Sequence, residues 1–323
     1  MKDLTSAANI NLKKNACFRF IDLFAGIGGF RKSFDSAGGK CVFTGEWDKA
    51  CRQTYQANFS CDHPVDCDIL EFTKDEESLE RIPKHDVLVA GFPCQPFSLA
   101  GVSKKNSLGR PHGFRCDTQG TFVFDLAQII DYHKPPAILL KNVKNLVSHD
   151  NWNTFRVIKK TLEEELGYFI QHKVIDGKPW VPQLRERIII VGFRADTGFS
   201  FNKMPVPEKA NWPTLGSILH SPLEEDEAPY FINGKVADKY TLTPRLWEYL
   251  KSYREKHRAM GNGFGFSQFG PDDVARTLSA RYYKDGSEIL ITQRGKRPRR
   301  LTLVSVQDCW DLMVRVNQIS KYP

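Results

Sequence analysis

The 323-residue sequence has no run of 18 apolar residues. A membrane-spanning helix needs about that many, so none is expected. The N-terminal stretch MKDLTSAANINLKKNACF lacks the apolar core of a secretory leader, and the cytoplasm is the expected compartment. None of the eight cysteines forms a CxxC pair. Cys61, His63 and Cys67 lie close together, but a fourth ligand and the usual spacing are missing, so no metal site is expected. Scattered free thiols suit a reducing compartment. Internal repeats and low-complexity tracts are also absent, which argues against a solenoid or a disordered linker.

What is present suits one large domain or two unequal ones: 41% hydrophobic residues, 26% charged and a net charge of +8. The basic excess is compatible with a polyanionic partner, or with a merely soluble basic protein. Apolar runs at 18–24, 41–47, 86–92, 137–143, 169–175 and 187–194 read as strands, and 48–59, 121–133 and 153–168 as helices. Strand and helix alternate through residue 194, which predicts an α/β fold with a doubly wound, mostly parallel sheet. Residues 195–295 change texture, with more Pro, Gly, aromatic and basic residues and weak periodicity. They are expected to form a smaller, loop-rich domain after a larger α/β domain at 1–194, with 296–323 as a tail.

Two short stretches carry chemistry. Gly26-Ile27-Gly28-Gly29 follows the first strand, and glycines there let a ligand approach the backbone. A dinucleotide fingerprint wants a third glycine where Arg31 stands, which disfavours a nicotinamide enzyme. Glu46 lies 20 residues after Gly26 and precedes Trp47. A carboxylate suits ribose hydroxyls and an indole suits a purine, so an adenosine ligand without pyrophosphate, such as S-adenosylmethionine, fits better. A structural turn with a core Trp is the alternative. The second stretch is Gly91-Phe92-Pro93-Cys94-Gln95-Pro96. Flanking prolines fix a thiol at the carboxyl end of a strand, where it serves as a nucleophile or simply fills a rigid loop.

FIDLFAGIGGF, GEW, GFPCQPFS, GTFVFDLAQII, KNVKNL and PQLRERIIIVGFR occur in that order. This order resembles the DNA (cytosine-5) methyltransferase family, and GNGFG with RTLSARYYKDGSEILI looks like its bacterial Dcm-type branch. The resemblance implies the S-adenosylmethionine-dependent methyltransferase fold with a target-recognition domain, a double-stranded DNA partner at a bacterial nucleoid, and no metal. It implies Cys94 as nucleophile toward C6 of a flipped cytosine, with Asn142, Gln183, Arg185 and Arg187 around the base. Phe24, Gly26, Gly28, Glu46, Trp47, Asp68 and Ile69 match cofactor positions, and Ala25, Ile27, Gly29, Pro93 and Phe122 group with them. Gln95, Ser98, Arg281 and Lys284 are candidate DNA contacts, with solvated charge as the plain alternative for the last two.

Two features depart from the family. Its Glu-Asn-Val glutamate is Lys141 here, and lysine has only donors. Methyl transfer is therefore expected to be severely reduced. In addition, the family continues from Arg-Arg-Leu-Thr into Pro-Arg-Glu-Cys-Ala-Arg-Leu, whereas 303–321 reads LVSVQDCWDLMVRVNQISK. Suitable codons for that stretch, read one nucleotide earlier, encode PRECARLLGFDGQGESNFK. A frame change near Thr302 is inferred, leaving either the large subunit of a split enzyme or a relic. Residues 303–323 are expected to be poorly placed, and cofactor binding by this chain alone to be weak. The coding sequence is expected to contain those codons, and the alternative frame a start site for the split enzyme. Codons for 303–321 that do not spell the family sequence one nucleotide back would refute the frame change.

Overall fold

The structure, a computed structural model, describes residues 18–65, 68–93, 122–219, 231–232, 235–263, 265–278, 282 and 286–301. Cys67, Cys94, Gln95, Ser98, Arg281, Lys284 and the tail from Thr302 lie outside them. The chain forms two compact units, one from residues within 1–174 and 187–202 and the other from residues within 175–186 and 203–323. This division differs from the sequence boundary at 175–186 and at 195–202.

In the first unit the strands are β1 (Arg19–Leu23), β2 (Lys40–Gly45), β3 (Val87–Ala90) and β4 (Ala137–Val143), followed by β5 (Phe169–Asp176) and β6 (Glu186–Phe193). They form one sheet in the order β2-β1-β3-β4-β6-β5. The first four strands pair in parallel and β6 pairs antiparallel to β4. The helices are α1 (Gly29–Ser36), α2 (Lys49–Asn58), α3 (Glu76–Glu80), α4 (Phe122–His133) and α5 (Asn153–Lys160). Asp48 caps α2 by accepting the Cys51 N–H at 2.8 Å, which satisfies one of the helix's unpaired first-turn donors. The helix expected over 153–168 is α-helical only to Lys160 and continues as a π-turn over Thr161–Glu165.

Ile21, Leu88, Ile129, Ile138, Ile158 and Ile188 are almost fully buried in the main core. Each contributes roughly 1.5–3 kcal/mol. The register fixes the sheet's working edge, because Leu23 pairs with both Gly45 and Ala90, and Ala90 with Leu140. The next residues, Glu46, Phe24, Gly91 and Lys141, therefore stand in one row, the first three just past the carboxyl ends of β2, β1 and β3 and Lys141 near the end of β4.

The second unit has the β-ladder β7 (Phe231–Ile232) and β8 (Lys235–Val236), the helix α6 (Pro244–Ala259), and the strands β9 (Gln268–Phe269), β10 (Leu290–Gln293) and β11 (Lys296–Arg300). Helix α6 was not foreseen in a stretch that reads as weakly periodic. Its start is nonetheless written in Thr243-Pro244: Thr243 accepts the Leu246 N–H and Pro244 fills the first turn. Leu242, Leu250, Phe266 and Leu290 pack one core of this unit. No helix among the described residues is long and apolar enough to cross a membrane.

Before α5 the backbone takes an unusual course. Asp150, Asn151 and Trp152 have φ of 50°, 51° and 72°. The left-handed region costs an ordinary L-residue roughly 1–2 kcal/mol, and Trp152 is 63% exposed, so burial returns little. Trp152→Gly relieves that cost, less the roughly 0.5–1 kcal/mol that glycine's chain entropy takes back, and is expected to raise stability by about 0.5 kcal/mol, read as a higher urea midpoint at unchanged slope. A lower midpoint would show that the indole is an anchor.

Candidate functional site

The turn after β1 is shaped by backbone that favours glycine. Gly26 has φ of 59° and Gly28 of 93°. A Cβ on Gly28 would meet the Phe59 ring at 2.2 Å, whereas a Cβ on Gly26 would meet nothing within 4 Å. Phe59 thus braces one side of the turn while the Gly26 side stays open. The Ala25 N–H donates to the Gly45 carbonyl at 3.1 Å, and the Gly28 N–H to the Ala25 carbonyl at 3.0 Å. Arg31, unsuited to a dinucleotide fingerprint, donates from Nε to Asp35 at 2.6 Å and lies over Phe59, 5.5 Å from the ring centre.

Glu46 closes the other side of the turn. It is largely buried, accepting the Gly26 N–H at Oε2 (2.7 Å) and the Asp48 N–H at Oε1 (2.8 Å). Each oxygen keeps a further lone pair for a hydroxyl donor. Trp47 is 75% exposed, so the indole is not the core residue that its type alone suggests. An open glycine edge, a half-satisfied buried carboxylate and an exposed indole fit the adenosine part of S-adenosylmethionine. Phe122 meets Phe24 edge-on at 5.1 Å. Asp68 caps a short 3₁₀ turn through the Leu70 N–H, and the Ile69 side chain is buried in the core. Pro93 is exposed.

Next in the row, the Lys141 ammonium lies 3.6 Å from where a Cβ on Gly91 would stand, and so does the Phe24 carbonyl oxygen. Val143 pairs with Arg187, and Lys141 with Ile189. Alternation along a strand then places Lys141 and Arg187 on the same face as diagonal neighbours. Half-burial lowers the Arg187 pKa. Asn142 points to the other face and is committed to backbone: its Nδ2 donates to the Phe92 carbonyl at 3.0 Å and its Oδ1 accepts the Val143 N–H at 2.7 Å. It thereby anchors the chain two residues before Cys94.

Gln183 and Arg185 belong to the second unit. Gln183 is fully buried, bridges Ala275 and accepts from Arg185 Nη1 at 3.4 Å. Among the described residues, no group of three His, Cys, Asp or Glu side chains is arranged to hold a metal.

Sequence reasoning passed over Asp22, the acid in FIDLF. It is fully buried, and neither carboxylate oxygen has a hydrogen-bond partner. Burial pushes its pKa up from 3.8 to about 8, against the opposing pull of the Arg31 backbone N–H and guanidinium. The unfolded chain releases this proton near pH 4 and the folded chain holds it to about pH 8. The stability it contributes is therefore complete at low pH and lost as pH rises through that window. Asp22→Asn is expected to gain stability relative to the parent as pH rises from 5 to 8, in urea melts at successive pH values. A pH-independent difference would mean that Asp22 is charged in the fold.

The family model that matches residues 18–312 is that of the C-5 cytosine-specific DNA methylases. The DNA-cytosine methyltransferase of Escherichia coli K12 is 49% identical, over 88% of this chain and 67% of its own length. The type II methyltransferase M.DsaV of Dactylococcopsis salina is 43% identical, over 88% of this chain and 73% of its own. Among solved structures, the Dnmt2 methyltransferase of S. pombe shares the fold, with a TM-score of 0.61 at 14% identity over 92% of this chain and 86% of that one. The glycine turn, the Glu46–Trp47 pair and these matches together show that the chain belongs to the C-5 cytosine-specific DNA methylase family.

Proposed function

We propose that the chain is built to methylate C5 of a flipped cytosine in a specific short duplex sequence, as in restriction-modification, and that Lys141 impairs this chemistry. The observation that carries the reading is the row Glu46, Phe24, Gly91 and Lys141, set level where β2, β1 and β3 end beside β4. S-adenosylmethionine supplies the methyl group when bound. Glu46 accepts from ribose hydroxyls, Trp47 stacks on the purine, and Phe24 with Phe122 walls the pocket. The first unit carries cofactor and chemistry, and the second carries target recognition.

The Cys94 thiolate adds to C6 of the base. C5 then gains enamine character, forms its bond to the methyl group and loses its proton, and expulsion of the thiolate restores the ring. Extruding the base costs a few kcal/mol in unstacking. Arg187 donates to the base O2, and Asn142 holds the Phe92 carbonyl, and with it the approach to Cys94. The family's glutamate can accept and donate protons at N3 and the exocyclic amine. The Lys141 ammonium only donates, and it stands on the same face as a second cation.

The departure of 303–321 from the family sequence, read as a frame change, supports a further part of the proposal: the in-frame counterpart is required, supplied as a separate polypeptide. A second reading, a chain that binds DNA without catalysis, draws on the same Lys141–Arg187 apposition. Lys141→Glu, assayed with the in-frame segment added as a separate polypeptide, is expected to raise methyl transfer roughly 10²-fold or more. It is also expected to permit covalent capture on 5-fluorocytosine duplex. No gain and no capture, with duplex binding retained, would leave the DNA-binding reading in its place.

A further inference from the structure

The hairpin β10–β11 and helix α6 make up a basic surface that the candidate site does not use. Residues 289–301, ILITQRGKRPRRL, contain five cations and no acid; Arg294, Lys296 and Arg297 are exposed, Arg300 is half-buried and Arg299 is buried. The hairpin turns through Arg294 and Gly295, the glycine at φ of 68°. Arg294 and Lys296 at its tip are exposed. The hairpin is pinned to the start of α6. Leu242 N–H donates to the Pro298 carbonyl at 3.1 Å, Arg297 Nε to the Leu242 carbonyl at 2.6 Å, and Gln293 Nε2 to the Thr241 hydroxyl at 3.0 Å.

Helix α6 starts beside the residues that hold the hairpin. Arg245, Tyr249, Tyr253, Lys256 and Met260 follow one another at steps of four, four, three and four residues, which is one stripe of an α-helix. All five are exposed, Tyr249 by 59%. Tyr249 and Tyr253 stack with centres 5.9 Å apart. No carboxylate lies on the stripe, and Glu248 beside it is paired with Lys251 at 2.7 Å. The opposite side holds the helix in place through Leu250 in the core and Arg254, which lies over Phe266 at 4.0 Å.

We propose that the hairpin tip and the α6 stripe together dock on the sugar-phosphate backbone of the duplex, outside the bases that are read. This deepens the DNA-directed reading above and rests on it. Arg294, Lys296 and Arg297 are the exposed cations of the hairpin, and with Arg245 and Lys256 on the helix they match a polyanion. Two exposed tyrosines between Arg245 and Lys256 supply hydroxyl donors and flat rings for sugar edges. A contact to phosphates raises affinity for every sequence alike and gives it a steep salt dependence.

The test measures duplex binding by the full-length chain across salt concentrations, so it does not depend on methyl transfer. Arg294→Ala with Lys296→Ala is expected to flatten the slope of log affinity against log salt by about 2, one contact per cation. It should weaken cognate and unrelated duplexes equally. Tyr249→Ala should weaken both without changing the slope. Arg258→Ala, an exposed cation off the stripe, is the control for net charge and should leave the slope within error. Unchanged folding is checked by circular dichroism. An unchanged slope in the double variant, or an equal change in the Arg258 control, overturns the surface while the DNA-directed reading stands. A parent chain that binds no duplex at low salt overturns both.

Discussion

The register of four parallel strands is the constraint on which the site depends. Ladder bonds hold Leu23 level with Gly45 and Ala90, and Ala90 level with Leu140. A one-residue slip would reverse every side chain on the slipped strand and take Ile138 or Leu88 out of the core. The hydrophobic core thus enforces the same alignment that sets Glu46, Phe24, Gly91 and Lys141 in a row. Ligands in open α/β sheets bind beyond the carboxyl ends of the strands, and here that edge receives the carboxylate, the glycine turn and the chain leading to Cys94. Asp22 shows how tightly the edge is built. It sits one residue before that level with no partner for its carboxyl, so the structure favours its neutral form over an anion.

Much of this was legible in the sequence, and for physical reasons. Strands covered on both faces read as continuous apolar runs, so the parallel β1, β3 and β4 and the antiparallel β6 were placed within a residue or two. The glycine turn and Glu46 followed from their fixed spacing after a strand. Three things were not legible. Asp22 lies inside an apolar run, and its missing partners are a property of packing that no single residue announces. The π-turn after Lys160 interrupts a helix whose sequence, KKTLEEEL, favours helix throughout. The pleat that puts Lys141 and Arg187 on one face depends on pairing across 46 residues, which periodicity within one segment does not reveal.

The second unit was read less well because its signals are local and irregular. Helix α6 announces itself at Thr243-Pro244, but its polar composition gives only a narrow apolar stripe, with Leu250 alone fully buried. Its stability comes from docking on Phe266 and the hairpin rather than from an amphipathic face. The same division leaves the outer stripe unconstrained by packing. Residue choice there is then governed by solubility or by a partner, and two exposed tyrosines serve solubility poorly.

Lys141 also shows why the fold and the chemistry separate at this position. The β4 backbone is held by its ladder to β3 and β6, and by Ile138 and Leu140 in the core. The residue at 141 comes after the last β3 pair and is only half-buried, so the sheet is indifferent to whether a carboxylate or an ammonium stands there. Substitution at 141 therefore costs the structure little. On the proposed mechanism it takes away the carboxylate that would exchange a proton with the base. Identity of 49% to the Escherichia coli relative is therefore compatible with a change at 141, a position that neither the ladder nor the core constrains.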